Sequence, residues 1–200
     1  MSQKVVIIKY NAGNVVSVTN ALERLGVNPV LSDDPRVIEE ADKLIFPGVG
    51  EASSAMAYIQ SKGLDTVIKS AQQPFLGICL GLQLMCSRTE EGNVDCLGIF
   101  DIPVLKFPKQ FDGITYKVPQ IGWNSIHKLQ SPLMEGVHDG EFVYFVHSFY
   151  APLCEHSIAI SPYSTSFSAA LHKNNFYAVQ FHPEKSAETG LKILKNFIEL

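Results

Sequence analysis

The chain has no Cys-x-x-Cys pair among its four cysteines, no run of Lys or Arg, no internal repeat and no apolar stretch near bilayer length. Each absence removes a class of function. A membrane span needs about 20 consecutive apolar residues, and the opening run Val5 to Ile8 is too short even for a secretion-signal core. With no basic stripe and a formal net charge of −4, nucleic acid is not an expected partner. Cys79, Cys86, Cys96 and Cys154 lack zinc-site spacing and the six histidines are scattered, so neither a metal nor a cofactor is expected. The chain therefore reads as cytoplasmic, where a disulfide framework is not expected either. Gly-x-Gly-x-x-Gly is also missing, which leaves the dinucleotide reading of the first strand–loop–helix weak.

What remains is ordinary globular composition, 46% hydrophobic and 18% charged over 200 residues, enough for a single domain spanning 1–200 with a sizeable core. The first half alternates strand and helix. Lys4 to Lys9 reads as a strand, and a helix follows from Asn14 as N-cap to Leu25, stopped by Gly26. Val27 to Leu31 is a second strand, Asp34-Pro35 opens a short helix, and Lys43 to Phe46 is a third strand. A helical region broken near Gly63 leads to a strand over Phe75 to Ile78 and a helix from Leu80. This alternation predicts a central, mostly parallel sheet with helices on both faces. After Glu91 the pattern turns to strands: Ile99 to Phe107, Gly113 to Val118, Asn124 to Leu129, Phe142 to Tyr150 and Ser157 to Tyr163. Phe167 to His172 and Phe176 to Phe181 form an expected hairpin, and Ala187 to Ile198 a closing helix. The fold class is α/β with an antiparallel C-terminal part.

Gly77-Ile78-Cys79-Leu80-Gly81 has the spacing of a nucleophile elbow with Cys in place of Ser. A strand that turns sharply into a helix needs small flanking residues, and the helix start aims N–H groups and a positive dipole end at the sulfur. Taken alone, Cys79 could as readily be a small buried hydrophobe. Functional loops of parallel sheets gather at the carboxyl ends of strands, where Pro47-Gly48-Val49-Gly50 also falls. Its glycines let backbone amides turn toward a ligand, although an ordinary strand-end turn has the same composition. Phe181-His182-Pro183-Glu184 closes a strand with a histidine and a carboxylate two residues on, a base and its orienting group for a thiol nucleophile. By itself that triplet is equally an exposed turn.

With these three stretches together, the chain resembles the class I (triad) glutamine amidotransferases, whose fold is flavodoxin-like. Within them it is similar to the glutaminase subunits of imidazole glycerol phosphate synthases. The likeness runs end to end through Tyr10-Asn11-Ala12-Gly13-Asn14, Phe46 to Gly50, Pro119-Gln120-Ile121-Gly122-Trp123-Asn124, Tyr144 to Tyr150 and His182 to Ser186. Lys9, Asn11-Ala12 and Gln120 depart from the commonest version of that pattern.

The resemblance implies roles. Cys79 would attack the side-chain amide of L-glutamine, His182 would move the proton and Glu184 would orient the imidazole. The oxyanion would be held by backbone N–H groups of Leu80 and Val49. Gly50, Gln83, Glu91 and the backbone of Ser148 and Phe149 would bind glutamine, though Gln83 could be a capping residue and Glu91 a solvated charge. His147 would be structural. The ammonia would pass to a (β/α)8-barrel cyclase that makes imidazole glycerol phosphate and AICAR from PRFAR in histidine biosynthesis, docked on Asn11, Asn14, Ile121, Trp123, Asn124 and Lys185. Three alternatives stand beside this: a paralogue serving another acceptor such as a sugar nucleotide, a non-catalytic flavodoxin-like scaffold, and a stand-alone thiol hydrolase.

Overall fold

The computed structural model describes residues 3–10 and 14–200. A seven-stranded sheet forms its centre. Val5–Ile8 lies between Val30–Ser32 and Lys43–Gly48, and all three run parallel. Phe75–Cys79 continues the parallel sheet beside Lys43–Gly48, and Phe176–Val179 lies parallel on its other side. Ser166–Lys173 and Ser157–Pro162 complete the sheet in antiparallel pairing.

The inner strands are buried throughout because both faces are covered. Val5, Ile7, Ile45, Leu76 and Ile78 point to one core layer with Val18, Leu22, Ile193, Leu194 and Phe197 of the Val15–Arg24 and Ala187–Glu199 helices. Their alternating neighbours Val6, Ile8, Leu44, Phe46 and Phe75 point to the other, with Ala55, Met56, Ile59 and Ile68. That two-sided burial is why these strands read as unbroken apolar runs. Gly63, at φ 65°, separates the Ala52–Ser61 and Leu64–Ser70 helices where the break was expected. Asp34 accepts from Arg36 N at 2.9 Å and caps the Pro35–Glu39 helix.

The second half departs from the sequence reading in detail. The Ile99 to Phe107 segment contributes only Pro103–Lys106 as a strand, and Gly113 to Val118 only Ile114–Thr115. The strand expected over Asn124 to Leu129 lies earlier, at Gln120–Ser125, and pairs antiparallel with Phe142–His147 in a two-stranded ribbon. Gly122, at φ 133°, tolerates a backbone that disguises the strand from a propensity argument. The strand expected from Phe142 to Tyr150 breaks at Ser148. The expected hairpin is present, turning at Asn174 with φ 57°.

Candidate active site

Sheet register builds the site. Gly48 is paired with Cys79, and Ile78 with Val179, so three neighbouring parallel strands end at one level. Chain continuity then places Val49 after the first, Leu80 after the second and Gln180 to Glu184 after the third.

At the middle strand the backbone turns hard. Cys79 adopts φ 55°, ψ −106°, a conformation costly for a non-glycine residue and held here by the buried strand and helix around it. A Cβ on Gly81 would strike the Phe46 carbonyl, and one on Gly77 would strike Met85 and the Gly81 backbone. The two flanking glycines are therefore required by close approach. Leu80 opens the Leu80–Met85 helix, where N–H groups have no intrahelical partner.

His182 Nδ1 lies 2.8 Å from Glu184 Oε1, and both side chains are closed to solvent. Its other ring nitrogen, Nε2, is buried without a hydrogen bond, as is Glu184 Oε2. Burial opposes the charged imidazolium, but the Cys79 sulfur and the Glu184 carboxylate outweigh it and push the His182 pKa up to about 10. The ring thus keeps a proton at neutral pH, with Nε2 free to deliver it. Asn14 Nδ2 donates to the same Glu184 oxygen at 3.4 Å, and Ser17 Oγ in turn donates to Asn14 Oδ1 at 2.8 Å. Asn14 occupies the helix N-cap position without making a side-chain cap bond, because its amide is turned to the carboxylate instead.

A cleft of about 260 Å³ lies over the sulfur, lined by Val49, Gly50, Gln83, Glu91, Ser148 and Phe149 among others. Its volume, below the ordinary range for drug-sized ligands, suits a free amino acid. Every residue expected to bind glutamine is there. Gln83 is buried in this wall and Glu91 half-buried, so neither is a plain surface residue. The Glu91 carboxylate accepts Ala52 N–H at 3.0 Å and anchors the helix that follows the Gly48–Gly50 loop. Burial raises its pKa, the Ala52 bond opposing that and Glu51 reinforcing it. The Ser148 carbonyl is occupied by Phe107 N–H at 3.0 Å, and the Phe149 carbonyl accepts from both His147 Nδ1 and Gln83 Nε2. Burial depresses the His147 pKa to about 4, so this imidazole is neutral and structural.

The glutamine amidotransferase class-I family profile matches residues 6–200. The chain belongs to that family. It is 55% identical over 198 residues to "Imidazole glycerol phosphate synthase subunit HisH" of Bacteroides thetaiotaomicron, covering 98% of this chain and 100% of that one. With the protein of the same name from Vibrio vulnificus (strain CMCP6) it shares 43% identity over 205 residues, 99% of this chain and 98% of that one. The crystal structure of a glutamine amidotransferase from Thermotoga maritima superposes with a TM-score of 0.63 at 18% identity, covering 100% of this chain and 82% of that one. That last likeness is one of fold.

For a class-I amidotransferase the remaining sequence expectations concern the outer face. Ile121 and Trp123 are exposed on the Gln120–Ser125 strand, and their ribbon partners Val146 and Tyr144 share that face. Trp123, at 52% exposure, is not a core residue. Lys185 sits 6.0 Å over the Tyr144 ring, and Tyr144 meets Trp123 edge-on at 6.1 Å. Asn124 is half-buried and donates to the Pro162 carbonyl, so it holds the ribbon to the sheet as well as bordering this face. Asn11 lies outside the described residues. The Gln180 contact to Cys79 and the Asn14 contact to Glu184 were not anticipated. A glutamine set between Val179 and Phe181 at a buried strand end was the available signal, since a buried amide must find partners.

Proposed function

We infer that this chain is the glutaminase subunit of an imidazole glycerol phosphate synthase. The carrying observation is the buried His182–Glu184 pair beside a strained Cys79 at the floor of an amino-acid-sized cleft. The names of relatives sharing 55% and 43% identity support the particular synthase.

In the reaction, Cys79 Sγ adds to the side-chain amide carbon of L-glutamine. The oxyanion forms against Leu80 N–H and a second N–H at Val49, whose peptide lies in an exposed, glycine-flanked loop. His182 Nε2 passes its proton to the leaving nitrogen, ammonia departs, and a thioester remains. Water, deprotonated by the now neutral imidazole, hydrolyses that thioester to glutamate. Glu184 fixes the ring throughout. Gln83, Glu91, Gly50 and the backbone at Ser148 and Phe149 position the glutamine. Residues 1–200 act as one glutaminase domain in the cytoplasm.

The acceptor chemistry belongs to a separate (β/α)8-barrel cyclase that consumes PRFAR. Ile121, Trp123, Tyr144 and Lys185 form the docking face, with Asn14 and Asn124 at its border; Asn11 is assigned to the docking surface by the family resemblance alone. The ribbon carrying this face also carries the Val146 carbonyl, 3.8 Å from Cys79 Sγ, so docking is connected to the nucleophile through one strand.

The deciding experiment measures glutamate release by the chain alone, with cyclase, and with cyclase plus PRFAR. Activity that rises only with the liganded partner and vanishes in Cys79→Ala supports the reading. Full activity alone indicates a stand-alone hydrolase. Silence in every mixture indicates a different acceptor or a scaffold.

A further inference from the structure

Gln180 carries no assigned role, yet its side chain is fully buried against the nucleophile. Its Nε2 lies 3.6 Å from Cys79 Sγ, and its Oε1 accepts from Gln83 Nε2 at 3.1 Å. Which end of that amide faces the sulfur follows from an unambiguous acceptor two links away. A backbone carbonyl can only accept, so at Phe149 O the contact at 3.0 Å must come from the Gln83 NH₂ group. That NH₂ then presents its second hydrogen to Gln180, which must answer with its oxygen. The Gln180 NH₂ is left pointing at the sulfur. His147 Nδ1–H, donating to the same Phe149 carbonyl at 2.7 Å, holds the starting point of the chain in place. The Gln180 backbone is pinned as well, its N–H donating to Ala169 O at 2.8 Å.

Cys79 also has an acceptor within reach. Sγ lies 3.8 Å from the Val146 carbonyl, which can receive an S–H but can offer nothing to a thiolate. The sulfur thus has beside it both a carbonyl suited to the thiol and an amide N–H suited to the anion. The titratable groups that act on it are His182 on the adjoining strand end and the buried Tyr10, while Glu184 and His147 act on His182. Tyr10 is buried and remains an uncharged phenol, since burial, reinforced by Cys79, raises its pKa well above the ordinary value.

We propose that Gln180 is a thiolate-holding residue of this site, its side-chain N–H fixed by Gln83 and donated to Cys79 Sγ. It works alongside His182, and it differs in being a neutral donor that keeps its hydrogen throughout the reaction. Because Gln83 also lines the substrate cleft, a ligand that engages Gln83 acts on the same hydrogen-bonded line that steadies the sulfur. The proposal rests on Cys79 being the nucleophile and does not depend on which acceptor receives the ammonia.

The test is alkylation of the purified chain by iodoacetamide, followed by peptide mass at Cys79, with Cys154 as internal reference. Gln180→Met keeps length and removes the donor. The rate is followed across pH, and the expected result is an upward shift of about one unit in the midpoint of the Cys79 rate–pH profile, equivalent to a tenfold change in stabilisation of the anion. On the high-pH plateau the variant and parent rates converge, and the Cys154 profile is the same in both. Gln83→Leu, which leaves the Gln180 amide present but unsteered, gives a smaller shift in the same direction. An unchanged midpoint in folded Gln180→Met overturns the proposal. A deficit that persists on the high-pH plateau also overturns it, because that reports access and not charge. If Gln180→Met does not fold, an unchanged midpoint in Gln83→Leu is decisive against it. No glutamine or partner is present in this assay, so an error about the acceptor cannot alter its outcome. An error about the nucleophile is revealed separately by glutamate release from Cys79→Ala.

Discussion

Asn14 Nδ2 and His182 Nδ1 converge on one oxygen, Glu184 Oε1, at 3.4 and 2.8 Å. A residue from the first helix start therefore helps to fix the carboxylate that fixes the His182 imidazole. Glu184 Oε2 is buried without a partner, so Oε1 carries the whole orientation of the group. Replacing Asn14 by Leu removes a donor to a charged acceptor across a long contact. The expected loss in kcat is about tenfold, the low end for a hydrogen bond to a charged group, with KM for glutamine little changed. Steady-state kinetics of the partner-activated enzyme checks it, and a change confined to KM would place Asn14 outside the triad.

The His182 proton gives a pH signature. Its folded pKa, about 10, lies above the ordinary 6.5, so the native state binds that proton more tightly than the unfolded chain. The associated stability is fully present below about pH 6.5 and is lost as pH rises toward 10. Thermal unfolding of the parent should fall across this window, and His182→Gln should flatten the slope. Cys79→Ala removes one of the two influences that raise the value. In that variant the His182 midpoint, followed by NMR of the ring carbons, moves down toward the ordinary range.

The elbow glycines make a steric prediction. A Cβ at residue 81 meets the Phe46 carbonyl, part of a fully buried strand that cannot retreat. Gly81→Ala should cost at least about 3 kcal/mol, the upper range for overpacking, because the obstacle is backbone. Denaturant unfolding measures this directly, and a loss below about 1 kcal/mol would mean the strand and helix can separate.

How much of this was legible in the sequence depended on the range of the interactions involved. Two-sided burial wrote the parallel strands as apolar runs, and turn residues such as Asp34-Pro35 and Gly63 marked helix ends by local rules. The Cys79, His182 and Glu184 stretches were recognisable because each is short and contiguous. The ribbon strand Gln120–Ser125 was missed because a glycine and a polar end interrupt its pattern, while its stability comes from pairing with Phe142–His147. The Gln180 contact and the Asn14 contact with the carboxylate were invisible for a related reason, Asn14 being legible only as a helix cap and a docking residue. Their partners, Cys79 and Glu184, are 101 and 170 positions away, and only the sheet brings them together.

The exposed ribbon face should behave as a binding hot spot. Trp123 is 52% exposed and Ile121 57%, both on a strand whose opposite face is anchored to the sheet through Asn124 and Pro162. An apolar pair of this size left in water is maintained at a cost to solubility that a covering partner would remove. Lys185, stacked over Tyr144, adds a fixed positive charge at the border, and the Tyr144 backbone is bonded to His182 N–H and Ser186 Oγ. Seating a partner here therefore bears on the strand end that carries His182. Trp123→Ala should weaken cyclase binding by about tenfold to a hundredfold, the range for a central aromatic, while leaving the thermal midpoint of the isolated chain within about 2 °C. Titration calorimetry and thermal unfolding of the same preparation separate the two effects. Retained affinity would move the docking surface off the ribbon, and a matching loss of thermal stability would return Trp123 to the fold.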